Sequence, residues 1–157
     1  MTESSLITDE LRKLVGVPGA QLIFEVEEGA IKRYAEAIGD PNPLYNDSEY
    51  AGKSKYGRLI CPPGFTGWPV KGRMPMFEIL DSLVEAGAPQ RVLDGGIEFE
   101  FFVPIGAGDI LVATSKIIDI SERETKLGKM MFTIIETNFS SRNDDVAVRN
   151  VVTLMNY

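Results

Sequence analysis

Apolar and polar positions alternate from Gln21 to Glu27, with Leu22, Phe24 and Val26 on one face and Ile23, Glu25 and Glu27 on the other, which is the period of a half-buried strand. At Glu28 the period lengthens. Ala30, Ile31, Tyr34, Ala35 and Ile38 recur at helical spacing, with Glu28, Lys32, Arg33 and Glu36 between them, so an amphipathic helix is predicted over 28–38, stopping at Gly39. Asp40 to Leu44 holds two prolines within three residues, which fix φ and remove amide donors, so a rigid loop follows. Asp47 to Gly52 is read as a further helical turn. Pro62, Pro63, Gly64, Gly67, Pro69, Gly72 and Pro75 exclude a long regular element before residue 76. A second helix is predicted over Met76–Ala86, with Phe77, Leu80 and Val84 as its inner stripe, Ile79 and Leu83 beside them, and Gly87 as its stop.

After Gln90 the pattern is that of strands. Ile97, Phe99, Phe101 and Val103 alternate with acidic residues, Ile110–Ile120 is rich in β-branched side chains, and Lys129–Phe139 and Val146–Met155 complete four sequential strands. Glu122–Gly128 is expected to be a polar connection. The connections are too short for crossover helices, so the sheet should be antiparallel and the class α+β, as one domain over 1–157 with a polar lead-in over 1–19. An isolated sheet of this kind leaves an edge strand unpaired, and dimerisation is expected to cover it.

Composition narrows the chemistry. The chain has 157 residues, 44% apolar and 25% charged, and no histidine. An imidazole base, a Ser-His-Asp or Cys-His nucleophile and a histidine metal site are thereby excluded within the chain. Its only cysteine, Cys61, cannot close an intrachain disulfide; set between apolar residues and prolines, it reads as a buried, inert thiol. Sixteen basic against 23 acidic side chains give a net charge of −7, which disfavours nucleic acid. Residues 1–20 lack the pattern of a secretory signal, and no apolar run is long enough to cross a bilayer, so a cytoplasmic protein without membrane contact is expected. No metal-ligand spacing, phosphate loop or dinucleotide fingerprint occurs, and no cofactor is expected.

Tyr34–Tyr45 reads YAEAIGDPNPLY. It resembles the Gly-Asp-x-Asn-Pro-aliphatic-His signature of the MaoC-like dehydratase group, the hot-dog thioester hydratases, with Gly39, Asp40, Asn42, Pro43 and Leu44 in place and Tyr45 at the histidine position. Tyr56–Phe65, Asp94–Phe102, Gly128–Phe132 and Glu136–Asn138 are similar to further segments of that group, in the same order along the chain. The resemblance implies a hot-dog fold, with about five antiparallel strands wrapped around a central helix and two such folds side by side. It also implies an acyl thioester of coenzyme A or acyl carrier protein at the paired interface, where an Asp and a His add water to an enoyl double bond.

Asp40 matches the family aspartate, but a tyrosine phenol is a poor base at neutral pH. The expectation is therefore a subunit of an (R)-specific enoyl-thioester hydratase or dehydratase that shapes the acyl pocket, while a His-bearing MaoC-like partner supplies catalysis. The alternatives are a self-sufficient homo-oligomeric hydratase, a homodimer among them, using Asp40, and a non-enzymatic acyl-thioester binder. Asn42, Tyr56, Pro63, Gly64 and Phe65 are the candidate substrate contacts. Lys53, Lys55, Arg58, Lys71 and Arg73 form a stretch without acids, suited either to the coenzyme A phosphates or to an acidic subunit. Asp40 and Asn42 also suit a plain turn in which the side chains bond nearby amides.

Overall fold

A computed structural model describes residues 5–67, 73–141, 143 and 145–157. In chain order the elements are α1 (Asp9–Lys13), β1 (Leu22–Glu25), α2 (Glu28–Ala37), α3 (Pro43–Asn46), α4 (Ser48–Lys53), α5 (Pro75–Glu85), β2 (Val92–Phe101), β3 (Ile110–Thr125), β4 (Gly128–Ser140) and β5 (Val146–Asn156). The strands form one antiparallel sheet in the order β1-β3-β4-β5-β2. Helices cover one face of it, and the α+β class predicted from the periods holds.

The two sheet edges differ. Along β3, β1 pairs with residues 110–113, and the lead-in continues the coverage: Gly19 N donates to Ser115 O and Gly16 N to Ile117 O, each at 2.8 Å, and Leu6 N donates to the Glu122 carboxylate at 2.8 Å. At the opposite edge β2 is paired only to β5, and Leu93, Ile97 and Phe101 are exposed along it. A ten-residue edge strand carrying apolar side chains is a surface that proteins ordinarily cover by pairing.

Inward-facing residues fall into cross-strand rows. Ala113, Phe139, Val148 and Phe101 are in register, as are Ile117, Ile135, Val152 and Ile97. The first row, without its exposed edge residue, belongs to a core with Phe24, Val26, Ile31, Ala35, Leu59 and Phe65. The second belongs to a separate core with Leu11, Ile79, Leu83, Met131 and Leu154. Between them lies a row of different chemistry: Ser115, Thr137 and Asn150, ending on Phe99 of the edge strand.

Two expectations are corrected. β3 runs to Thr125 rather than yielding to a connection at Glu122, because Glu122, Arg123 and Glu124 pair in register with Met131, Met130 and Lys129 while their polar ends stay in solvent or reach the lead-in. In α5 the buried stripe is Ile79 and Leu83. Phe77 is exposed, with the Arg73 guanidinium over its ring at 5.3 Å, since the helix starts a residue earlier and packs on β3 and β4 through the 79/83 face.

Candidate functional site

The loop after α2 is built from its own side chains. Gly39 adopts φ +68°, which turns the chain out of the helix. The Asp40 carboxylate accepts from Asn42 N at 2.9 Å, the Asn42 side chain accepts from Leu44 N at 3.0 Å and caps α3, and Pro43 takes the first position of that helix. Asn46 Nδ2 closes the loop on the carbonyls of Asp40 and Asn42. Asp40 and Asn42 thus act as turn-forming residues here.

α3 carries Tyr45 into the interior, where it is 9% exposed. Burial, then the negative charge of Asp40, pushes its phenol above the ordinary tyrosine range, against a hydrogen bond with Asn42 that lowers it. At neutral pH it is a neutral hydrogen-bonding group and no base.

Beside Tyr45 runs the segment 58–63, held by three ties. Ile60 N donates to Leu44 O, Cys61 N to Ile105 O at 2.8 Å, and Ala107 N to Leu59 O. The Arg58 guanidinium grips Asp109 with two bonds, at 2.5 and 2.8 Å, and also donates to Ala107 O, while Gly106 N donates to the same carboxylate. The approach is close enough that a Cβ on Gly106 would sit 2.4 Å from Leu59 O.

These ties enclose an apolar cavity of about 290 Å³, lined by Tyr45, Ile60, Cys61 and Pro63 on one side and by Phe101, Phe102, Val103 and Pro104 on the other. It lies at the end of β2, on the uncovered sheet edge. Burial, with Asp109 nearby, drives the Cys61 thiol up to about 12, so it packs as an apolar group rather than acting as a thiolate. The cavity can hold a hydrocarbon and exclude water, and its lining carries no group that would move a proton at neutral pH.

Among the residues expected from sequence, Tyr45 and Pro63 line the cavity and Asp40 and Asn42 build the loop behind it. Tyr56 lies apart from it, and Lys55 stacks over the Tyr56 ring at 5.0 Å. Gly64 turns the chain at φ +85°, and Phe65 is buried in the core, stacked on Tyr34 with ring centroids 4.5 Å apart. The basic stretch is dispersed: Lys53 pairs with Glu49, Arg58 with Asp109 and Arg73 with Asp81. Lys71 lies outside the described residues. Phe101, Phe102, Val103 and Pro104 were not among the candidates. Their signal is a strand whose alternation lapses into consecutive apolar residues where it leaves the sheet.

Comparisons with known proteins accord with this geometry. A family model described as "FAS1-like, dehydratase domain region" matches residues 13–150. The chain is 29% identical over 139 residues to a UPF0336 protein of Thermobifida fusca, covering 84% of this chain and 83% of that protein. It is 28% identical over 131 residues to a probable enoyl-CoA hydratase alpha subunit of Thermomonospora curvata, covering 76% of this chain but 41% of that protein. The HadBC (3R-hydroxyacyl-ACP dehydratase) complex of Mycobacterium tuberculosis contains a chain of the same fold, with TM-score 0.66 and 19% identity over 90% of this chain and 96% of that one. Among the described residues no helix is long and apolar enough to cross a membrane. The chain belongs to the FAS1-like dehydratase domain family, of the MaoC-like hot-dog group of hydratases and dehydratases.

Proposed function

We propose that this chain is the non-catalytic, pocket-forming subunit of an (R)-specific enoyl-thioester hydratase or dehydratase. The observation that carries this reading is the state of the 39–46 loop. The aspartate is bound into its own turn, and the position of the family histidine holds a buried tyrosine that forms the wall of an apolar cavity. Hydration of an enoyl thioester needs two positioned groups that exchange protons with water and substrate carbon. This chain supplies the cavity but not the imidazole.

Pairing through β2 would set the mouth of the cavity against a second hot-dog chain and cover Leu93, Ile97 and Phe101 in the same step. The partner is a MaoC-like chain carrying Gly-Asp-x-Asn-Pro-x-His, and the substrate is an acyl thioester of coenzyme A or acyl carrier protein whose tail enters the apolar cavity. The names of two similar proteins, a hydratase alpha subunit and a dehydratase complex, support a multi-subunit setting. In the test, the purified chain is assayed with crotonyl-CoA alone and after mixing with the His-bearing chain from the same source. Negligible turnover alone and turnover on mixing are expected; full activity of the homogeneous chain would overturn the proposal in favour of a homo-oligomer using Asp40.

A further inference from the structure

Asn150 is 6% exposed, and its side-chain Oδ1 has no hydrogen-bond partner. Sequence and register make this unusual. On β5 the inward positions are Val148, Asn150, Val152 and Leu154, so a single amide interrupts an otherwise apolar face. Its neighbours in register are Thr137 on one side and Phe99 on the other, and beyond Thr137 stands Ser115. Ser115 and Thr137 satisfy each other, Oγ to Oγ1 at 2.6 Å, with both side chains fully or almost fully buried. Asn150 is left as the open end of the row. A buried acceptor without a donor is a cost to the isolated fold that a valine would avoid, and such groups call for an explanation.

The position of the row supplies one. It separates the two apolar cores and runs across the sheet to Phe99, which stacks on Phe101 with centroids 5.9 Å apart. Phe101 is a wall of the cavity assigned above to the acyl tail. The orphaned acceptor is therefore one register row from that cavity, on the same inward face and on the side of the open edge.

We infer that Asn150 is a specificity-determining residue which accepts a hydrogen bond from a hydroxyl carried along the acyl chain, so that the preferred thioester is a hydroxylated rather than a plain hydrocarbon one. The inference rests on the proposed acyl-binding role of this subunit. Ser115 and Thr137 hold the rest of the row closed, and Asn150 alone is left to the ligand.

The test is calorimetric titration of the full chain, in the assembly in which it purifies, with dodecanoyl-CoA and its chain-hydroxylated isomers, alongside the Asn150→Val variant. One hydroxylated isomer should bind wild type at least about tenfold more tightly than dodecanoyl-CoA, and Asn150→Val should erase that preference while still binding the plain thioester. Without ligand, the variant should melt no lower than wild type, because it removes an unpaired acceptor. Equal binding of all the thioesters by wild type would overturn the inference and leave the acyl-binding role standing. An Asn150→Val chain that fails to fold, or melts well below wild type, would assign Asn150 to the fold itself and also overturn it. Absence of binding by any acyl-CoA would reject the acyl-binding role and the inference with it.

Discussion

The clamp between Arg58 and Asp109 is the part of the site whose energetics follow most directly from its geometry. Replacing Arg58 by Met removes two bonds to the Asp109 carboxylate, at 2.5 and 2.8 Å, and one to Ala107 O at 3.2 Å, while keeping most of the aliphatic stem. Hydrogen bonds to charged groups contribute roughly 1.5–3 kcal/mol each when buried. The side chains here are 38% and 27% exposed, so solvent screening reduces the pair toward the modest worth of surface ion pairs. A net cost of about 2 kcal/mol is the balance between those limits. For a domain of this size each kcal/mol moves the melting midpoint by roughly 2–4 °C, so Arg58→Met should melt about 4–8 °C below wild type.

Asp109→Asn keeps an acceptor for Gly106 N and loses the charge, which allows a double-mutant cycle by urea denaturation. The coupling energy between the two changes should be about 1–2 kcal/mol, with unchanged dependence on denaturant. Since the clamp fastens residues 58–61 to 105–109, which carry or adjoin both walls of the cavity, Arg58→Met should also weaken binding of a long-chain acyl-CoA. Additive single changes, or full binding by a destabilised variant, would refute the view that this pair positions the cavity.

Three further outcomes follow from named contacts. Asp40→Asn should leave stability and the turnover of the assembled enzyme nearly unchanged, because the amide still accepts from Asn42 N, whereas Asp40→Ala should cost about 1 kcal/mol in urea denaturation. Glu136 pairs with Lys116 and Arg149; burial raises its pKa, but these cations outweigh burial and hold it below the ordinary glutamate value. A depressed carboxylate stabilises the fold above its unfolded pKa of roughly 4.3 and loses that contribution as pH falls through the folded value, so wild type should lose more stability than Glu136→Gln below about pH 4.3. Ile97→Arg places a cation on the open face of β2 and should shift the chain toward monomer in sedimentation, with its secondary structure by circular dichroism retained.

The sequence was legible where local chemistry and period agree. The YAEAIGDPNPLY loop could be read as a turn capped by its own Asp and Asn side chains, and its bonds are those such residues make. The strands of the second half were visible from β-branched alternation, and the open edge from the number of strands. What could not be read depends on residues distant in sequence. The basic stretch looked uncompensated because its acids, Glu49, Asp81 and Asp109, lie outside it. Phe77 fits an inner stripe by spacing alone, and only the packing of α5 on β3 and β4 selects Ile79 and Leu83 instead. Phe101 and Phe102 read as sheet packing because nothing local says that the strand leaves the sheet there to wall a cavity. The bulge at Ile117/Asp119, which resets the inward face of β3, likewise has no local signal.

Hydration of crotonyl-CoA by the purified chain, measured with and without an equimolar His-bearing MaoC-like chain from the same source, tests the central claim most directly. A rate indistinguishable from the uncatalysed reaction for the chain alone, and turnover that saturates at equimolar partner, is the predicted result. Turnover by the chain alone that is abolished by Asp40→Asn would contradict it, since catalysis would then reside in a chain without histidine.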